Sequence, residues 1–136
     1  MNHAEAIIQA VEAAVPAGVK VFDSIIGGIP PARYVVLYIP DVLREMTSID
    51  PVSDGLSCSF QATVVASNAV PAYAAAECRW LAAAVNNSLV DLVITPDGMS
   101  AARVMQTGSQ SPRPDEATPD KKVYATAQFS FRSVQT

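Results

Sequence analysis

The hydrophobic pattern of the first fifteen residues predicts an amphipathic helix. Its apolar residues recur at the spacing of one helix face, namely Ile7, Ile8, Val11, Ala14 and Val15. Asn2 can cap the helix start, Glu5 lies near the positive end of the dipole, and Pro16 with Gly18 ends the helix.

A second helix is predicted from Asn68 to Asn87, where Pro71 fits a first turn and the alanine run has the highest helix propensity. We expect an inward apolar face, made by Tyr73, Ala76, Trp80, Leu81 and Ala83 or Ala84. Trp80 and Tyr73 could instead line a ligand pocket, but aromatic residues at helical spacing favour a place in the core. The other alanines would let a sheet or a neighbouring subunit approach closely.

The remaining regular segments have the apolar and β-branched composition of strands. They are Val19–Asp23, Arg33–Ile39, Leu56–Ala66, Leu89–Thr95, Ala101–Thr107 and Val123–Val134. Arg33–Ile39 lacks alternation, which predicts a central strand covered on both faces. Leu56–Ala66 and Val123–Val134 alternate, which predicts one buried face each.

Three segments lack a regular pattern. Ile25–Pro31, with its Gly-Gly and Pro-Pro pairs, predicts a turn or loop. Pro40–Gly55 is either an excursion or the extended arm of a long hairpin. Gly108–Lys122 contains three prolines and predicts a functional or disordered loop. We expect one domain, 1–136, with flexible loops at about 40–55 and 108–122.

The element order α-β-β-β-α-β-β-β contains more strands than two helices can separate into βαβ units. It predicts an α+β fold: a two-layer sandwich of a mostly antiparallel sheet with both helices packed on one face.

Composition changes the picture in two ways. Half of the 136 residues are apolar and 16% are charged, against about 25% in typical domains. This excludes an intrinsically disordered chain and suggests that a partner covers part of the surface. The net charge of −4 provides no basic field for a phosphate backbone, so nucleic acid is not expected as a stable ligand.

Candidate catalytic chemistry is sparse. The single histidine, His3, lies at a terminus that is normally mobile, which argues against Ser-His-Asp and Cys-His catalysis. Cys58 and Cys78 lack metal-ligand spacing; buried free thiols and a cytosolic origin are favoured, and a disulfide stays possible. No segment is typical of a signal peptide or a membrane helix, so we expect a soluble protein.

Two further motifs have ordinary interpretations. Gly27-Gly28 lacks the residues of a phosphate loop and favours a turn. The carboxylate pairs Asp50/Asp54 and Asp115/Glu116 lie in polar, proline-containing segments, which favours solvated charge over acid–base work or cation binding. We therefore expect no enzyme activity, and no catalytic, cofactor-binding or metal-binding residue.

The order of several phrases resembles a known family. The opening helix is followed by VKVFDS, a Gly/Pro turn and RYVVLYIP; then come SFQATVVASN, AYAAAECRWLAAAV and SPRPDEATPDKKVYATAQFSFR. Over nearly its whole length the chain is similar to tail terminator (tail-completion) proteins of long-tailed bacteriophages, particularly those of actinobacterial hosts. The segment 40–55 has no match in that pattern.

The resemblance implies a virion structural protein at the head–tail interface, assembled in the host cytoplasm. Such proteins form a ring, usually a hexamer, that caps the tail tube, stops its polymerisation and provides the docking surface for the head. The implied partners are further copies of the chain, the tail tube protein and a head-completion or stopper protein. No membrane and no sequence-specific nucleic acid are implied, although DNA can pass through the ring.

For the partner contacts we select Pro40–Gly55 and Gly108–Lys122. The contact residues in them are Arg44, Glu45, Arg113, Asp115 and Glu116. The alternatives are another head-to-tail connector or minor tail subunit, such as a stopper, a monomeric ligand-binding module with an apolar cavity under the second helix, and a small α+β enzyme.

Overall fold

A computed structural model describes residues 1–45, 55–114 and 122–134, and these residues form two helices and nine strands. The helices are α1 (His3–Ala14) and α2 (Pro71–Leu89). The strands are β1 (Lys20–Asp23), β2 (Arg33–Tyr38), β3 (Leu43–Glu45), β4 (Gly55–Ser67), β5 (Val93–Ile94), β6 (Ala102–Arg103), β7 (Met105–Ser109), β8 (Arg113–Pro114) and β9 (Lys122–Val134).

The start of α1 follows the predicted capping chemistry. The Asn2 side chain accepts a hydrogen bond from the Glu5 backbone N–H at 2.8 Å, and the Asn2 N–H donates to the Glu5 carboxylate at 3.2 Å. This capping box satisfies two backbone donors at the helix start. Of the predicted apolar stripe, Ile7 and Val11 are fully buried.

The main sheet has the strand order β1-β2-β4-β9-β7. The strands β4 and β9 pair over thirteen residues, from Gly55↔Val134 to Ser67↔Lys122. The strand β1 runs parallel to β2, and the other pairs are antiparallel. Because β9 pairs with β4 along one whole side, β3 pairs with β4 on the other side, next to β2. Because β4 likewise pairs with β9 along one whole side, β8 pairs with β9 on the side of β7. The strands β5 and β6 form a separate two-stranded sheet.

Both helices pack on one face of the main sheet, which confirms the predicted α+β two-layer fold. The core between the layers combines residues of α1 and α2 with the inward faces of β2, β4 and β9. The opposite face carries a smaller buried cluster, which consists of Phe22, Tyr34, Val36 and Val65. The strand β2 is therefore covered on both faces, as its unbroken apolar run predicts.

The inward face of α2 differs from the predicted one. Its buried residues are Ala74, Cys78, Leu81, Val85 and Leu89, whereas Tyr73 and Trp80 are 62% and 56% exposed. Of the predicted face, Leu81 alone is buried. Alanine and cysteine let the first half of the helix lie close to the sheet, and the two large aromatic side chains are left on its outer side.

Two predicted strands also differ in extent. The helix α2 continues to Leu89, and Asp91 has a left-handed backbone (φ 62°), so the predicted strand Leu89–Thr95 is reduced to β5. The predicted strand Ala101–Thr107 divides at Val104 into β6 and β7, which belong to different sheets.

The irregular segments contain more pairing than predicted. In the described part of Pro40–Gly55, β3 pairs antiparallel with β4, which favours the hairpin-arm interpretation. In the described part of Gly108–Lys122, Gly108 and Ser109 end β7, Arg113 and Pro114 form β8, and Lys122 begins β9.

Candidate functional site

His3 has a structural place in the fold. It is 8% exposed, its Nε2 lies 2.8 Å from the Pro40 carbonyl oxygen, and its ring centroid is 5.9 Å from that of Phe131. The expectation of a mobile residue at the terminus was therefore wrong, because packing of α1 against the sheet buries the ring. These contacts join the start of α1 to the segment that follows β2.

The two cysteines are free, buried thiols, as predicted. The Cys58 thiol points to the Pro40 carbonyl at 3.5 Å, and the Cys78 thiol to the Val64 carbonyl at 3.8 Å. Burial raises the pKa of each thiol to about 11. Both groups are thus protonated and unreactive near neutral pH.

The other candidate chemical motifs provide no reaction centre in the described part of the chain. Within residues 1–45, 55–114 and 122–134, His, Cys, Asp and Glu form no group that could hold a metal ion. The carboxylates Asp50, Asp54, Asp115 and Glu116 lie outside the described residues. Gly27 and Gly28 belong to the connection between β1 and β2, and Gly28 has a positive φ of 74°. A strand follows the two glycines, whereas a phosphate loop would lead into a helix.

The cavity that the described residues line beneath α2 is too small for a small-molecule ligand. The cavity between Ala82 and Asn86 of the helix and Ala62 and Ala127 of the sheet has a volume of about 20 Å³. Such a volume holds roughly one water molecule, whereas small-molecule pockets have about 300–1,000 Å³. This argues against the ligand-binding module that required an apolar cavity at this place.

The predicted contact residues occupy opposite ends of the sheet. Arg44 and Glu45 lie in β3 and pair with Leu56 and Gly55, at the end where β9 finishes. Arg113 lies exposed in β8 and pairs with Tyr124, at the end where β9 begins.

Leu56 is level with Ser133, nine residues beyond Tyr124 along β9. At about 3.3 Å per residue, the two sites are therefore roughly 30 Å apart. The structure separates Arg44 from Arg113, and the other predicted contact residues of the second segment, Asp115 and Glu116, lie outside the described residues.

Exposed apolar residues form a surface feature that the sequence analysis did not select. In the connection from β1 to β2, Ile25, Ile26 and Ile29 are 77%, 39% and 98% exposed. The signal was present in the sequence, because Gly-Gly precedes Ile29 and Pro-Pro follows it, and a turn of this composition lies at the protein surface. Met105 in the edge strand β7 is also exposed, at 63%.

Two ion pairs lie on the described surface. Arg103 and Asp91 approach to 3.4 Å, and the amino group of Met1 lies 2.8 Å from the Asp97 carboxylate. Both pairs are largely exposed, and water screens exposed pairs so that they contribute little to stability. Among the residues described, neither helix has the length and hydropathy needed to cross a membrane.

Comparison with known proteins shows the fold. No protein-family description and no curated protein matches the chain. Among solved structures, the chain is similar to a chain of the virion of a native gene transfer agent particle, with a TM-score of 0.70 and 21% identity over 98% of this chain and 95% of that one. A second solved structure, of a protein whose name states no function, is similar with a TM-score of 0.63 and 21% identity over 97% and 89% of the two chains. At this identity the likenesses establish a shared fold over nearly the whole chain.

Proposed function

We propose that the protein is a virion structural protein that forms a ring on the tail tube, ends tube polymerisation and provides the docking surface for the head. The observation that carries the proposal is the match in fold, over 98% of this chain, to a subunit of a phage-like virion. It agrees with the family resemblance of the sequence, which spans the same elements.

The arrangement of the sheet supports a protein with two different docking ends. Arg44 and Arg113 lie at opposite ends of the long β4–β9 ladder. One end of the subunit can thus contact the tube while the other contacts a head-side protein. We assign Arg44 and Glu45 to one contact, and Arg113, Asp115 and Glu116 to the other.

The mechanism is competition for the end of the tube. A ring seated on the last tube subunits occupies the surface on which the next tube ring would assemble, so elongation stops. The outer surface of the seated ring differs from that of the tube and binds the head-side protein instead. Because several large apolar side chains are exposed and only 16% of the residues are charged, burial of apolar area would supply most of the affinity.

Tube polymerisation in the presence of the protein tests this function. The tube protein of the same phage is polymerised with and without the purified chain, and tube lengths are measured by electron microscopy. We expect shorter tubes that carry one additional ring at one end, and a solution species near 86 kDa, six times the chain mass of 14.3 kDa. Tubes of unchanged length without an added ring would contradict a terminator.

A double charge reversal tests the assigned contacts. Arg113→Asp with Asp115→Arg keeps the net charge and changes an exposed position in β8. We expect unchanged folding and weaker head joining. Normal joining would show that this assignment is wrong, and binding to the head side without tube capping would indicate a stopper-like connector.

A further inference from the structure

Both edges of the main sheet lack a neighbouring strand among the described residues. The strand β1, of four residues, forms one edge, and β7, of five residues, forms the other. Edge strands offer unpaired N–H and C=O groups, and proteins usually protect them with charges, prolines or bulges. The strand β1 (KVFD) carries the charged residues Lys20 and Asp23. The strand β7 (MQTGS) has neither charge nor proline, and its protection is one register shift between Gln106 and Gly108.

Two grooves border the edge strand β1. A groove of about 370 Å³ lies between β1 and the end of α1, where Val15, Val19 and Val21 line it. A second groove of about 430 Å³ lies between the start of β1 and the following connection, where Lys20, Ile29 and Pro31 line it. Strand addition uses backbone hydrogen bonds for affinity and such side pockets for alternate side chains.

We propose that β7 of one copy pairs with β1 of the next copy, so that the sheet continues from subunit to subunit around the ring. This inference rests on the proposed ring. The two surfaces differ, which makes the contact heterologous, and heterologous contacts form rings when the rotation closes. The strand that pairs with β1 is β7 of a second copy, because β7 is an uncharged free edge of five residues beside the four residues of β1.

The strand directions fit this junction. Because β1 is parallel to β2 and each later step across the sheet is antiparallel, β1 and β7 run in opposite directions. A β7 strand placed beside β1 in a continuous sheet is therefore antiparallel to it. That geometry permits direct hydrogen bonding between residues that face each other.

The two edge strands lie at different levels along β9. Through β2 and β4, Lys20 and Asp23 are level with Tyr124 and Ala127 of β9. The strand β7 is level with the range from Ala127 to Ser130. The offset of about three residues per subunit is the kind of register shift that a closed sheet requires.

Crosslinking of engineered cysteines tests the junction. Lys20→Cys on β1 and Thr107→Cys on β7 are made singly and together, and the assembled protein is treated with a short bifunctional maleimide, alone and on tail tubes. Cys58 and Cys78 are buried thiols with pKa values of about 11, so they stay unmodified. We expect the double variant to give a ladder of covalent multimers up to the ring mass, and each single variant to stay uncrosslinked.

The outcomes separate the two proposals. A species of ring mass whose double variant remains uncrosslinked would overturn the edge pairing and keep the ring. Crosslinked dimers of a single variant would show that like edges meet, which also overturns it. A chain that stays monomeric alone and on tubes would contradict both proposals.

Discussion

The rings of Phe60 and Phe129 stack with their centroids 5.5 Å apart and an angle of 20° between their planes. The two residues face each other directly in the β4–β9 ladder, and both are buried, at 3% and 0% exposure. They join the two longest strands beneath the helical layer. An aromatic pair of this kind contributes about 0.5–1.5 kcal/mol beyond the burial of its area.

Loss of one ring should strongly destabilise the fold. Phe129→Ala removes a fully buried side chain and leaves a cavity, so we expect the free energy of unfolding to fall by about 3–5 kcal/mol. Urea denaturation followed by circular dichroism measures the change. Ser130→Ala is the matched control, because its side chain points to the opposite sheet face; we expect a change within about 0.5 kcal/mol. Equal effects of the two substitutions would contradict the assigned core.

Truncation of two neighbouring residues on α2 should have very different effects on the free energy of unfolding. Leu81 is fully buried, so Leu81→Ala should cost about 2–5 kcal/mol. Trp80 is 56% exposed, so Trp80→Ala should change the free energy of unfolding by no more than about 0.5 kcal/mol. Iodide should quench the fluorescence of Trp80, the one tryptophan of the chain. If iodide did not quench the free protein, Trp80 would be buried, as the sequence predicted for the inward helix face.

The contribution of the α1 cap to the free energy of unfolding should be measurable. Asn2→Ala removes the side-chain acceptor of the Glu5 N–H, and we expect a loss of about 1 kcal/mol in the free energy of unfolding. Asn2→Ser keeps an acceptor and is expected to retain most of this stability. The same loss in both variants would show that the cap hydrogen bond is not the cause.

The buried thiols should make stability fall at alkaline pH. Burial raises their folded-state pKa from 9.0 to about 11, so between these values the unfolded chain has lost protons that the folded chain keeps. Their contribution is complete below about pH 9 and is lost as pH rises towards 11. Other groups titrate in this range, so the comparison is with Cys58→Ala/Cys78→Ala. The unfolding free energy of that variant should fall less steeply with pH, and parallel curves would contradict the shifted pKa values.

A charge on the free edge of β7 should weaken assembly. Thr107→Lys places an ammonium group on the exposed edge strand, and a charge on an edge disfavours strand addition. We expect the midpoint concentration for multimer formation to rise at least about tenfold, equivalent to about 1.4 kcal/mol. Light scattering over a concentration series measures it. Gln9→Lys introduces the same charge on the exposed side of α1 and should leave assembly unchanged. Equal assembly of both variants would argue against pairing through β7.

Local chemistry was readable from the sequence because it depends on neighbours along the chain. The cap joins Asn2 and Glu5, which are three positions apart, the unbroken run in β2 indicates burial on both faces, and the alternation in β9 identifies its buried face. Gly-Gly and Pro-Pro mark the connection after β1. These features determined the helices, the main strands and the α+β class.

The tertiary structure decided what depends on distant segments. The outward place of Trp80 results from close packing of Ala74 and Cys78 against the sheet, which helical periodicity cannot reveal when alanines surround the whole helix. The parallel direction of β1 depends on where the nine residues 24–32 return the chain. The free edges at β1 and β7 likewise exist only in the assembled strand order, because an edge is defined by which strands pair and not by the composition of one strand.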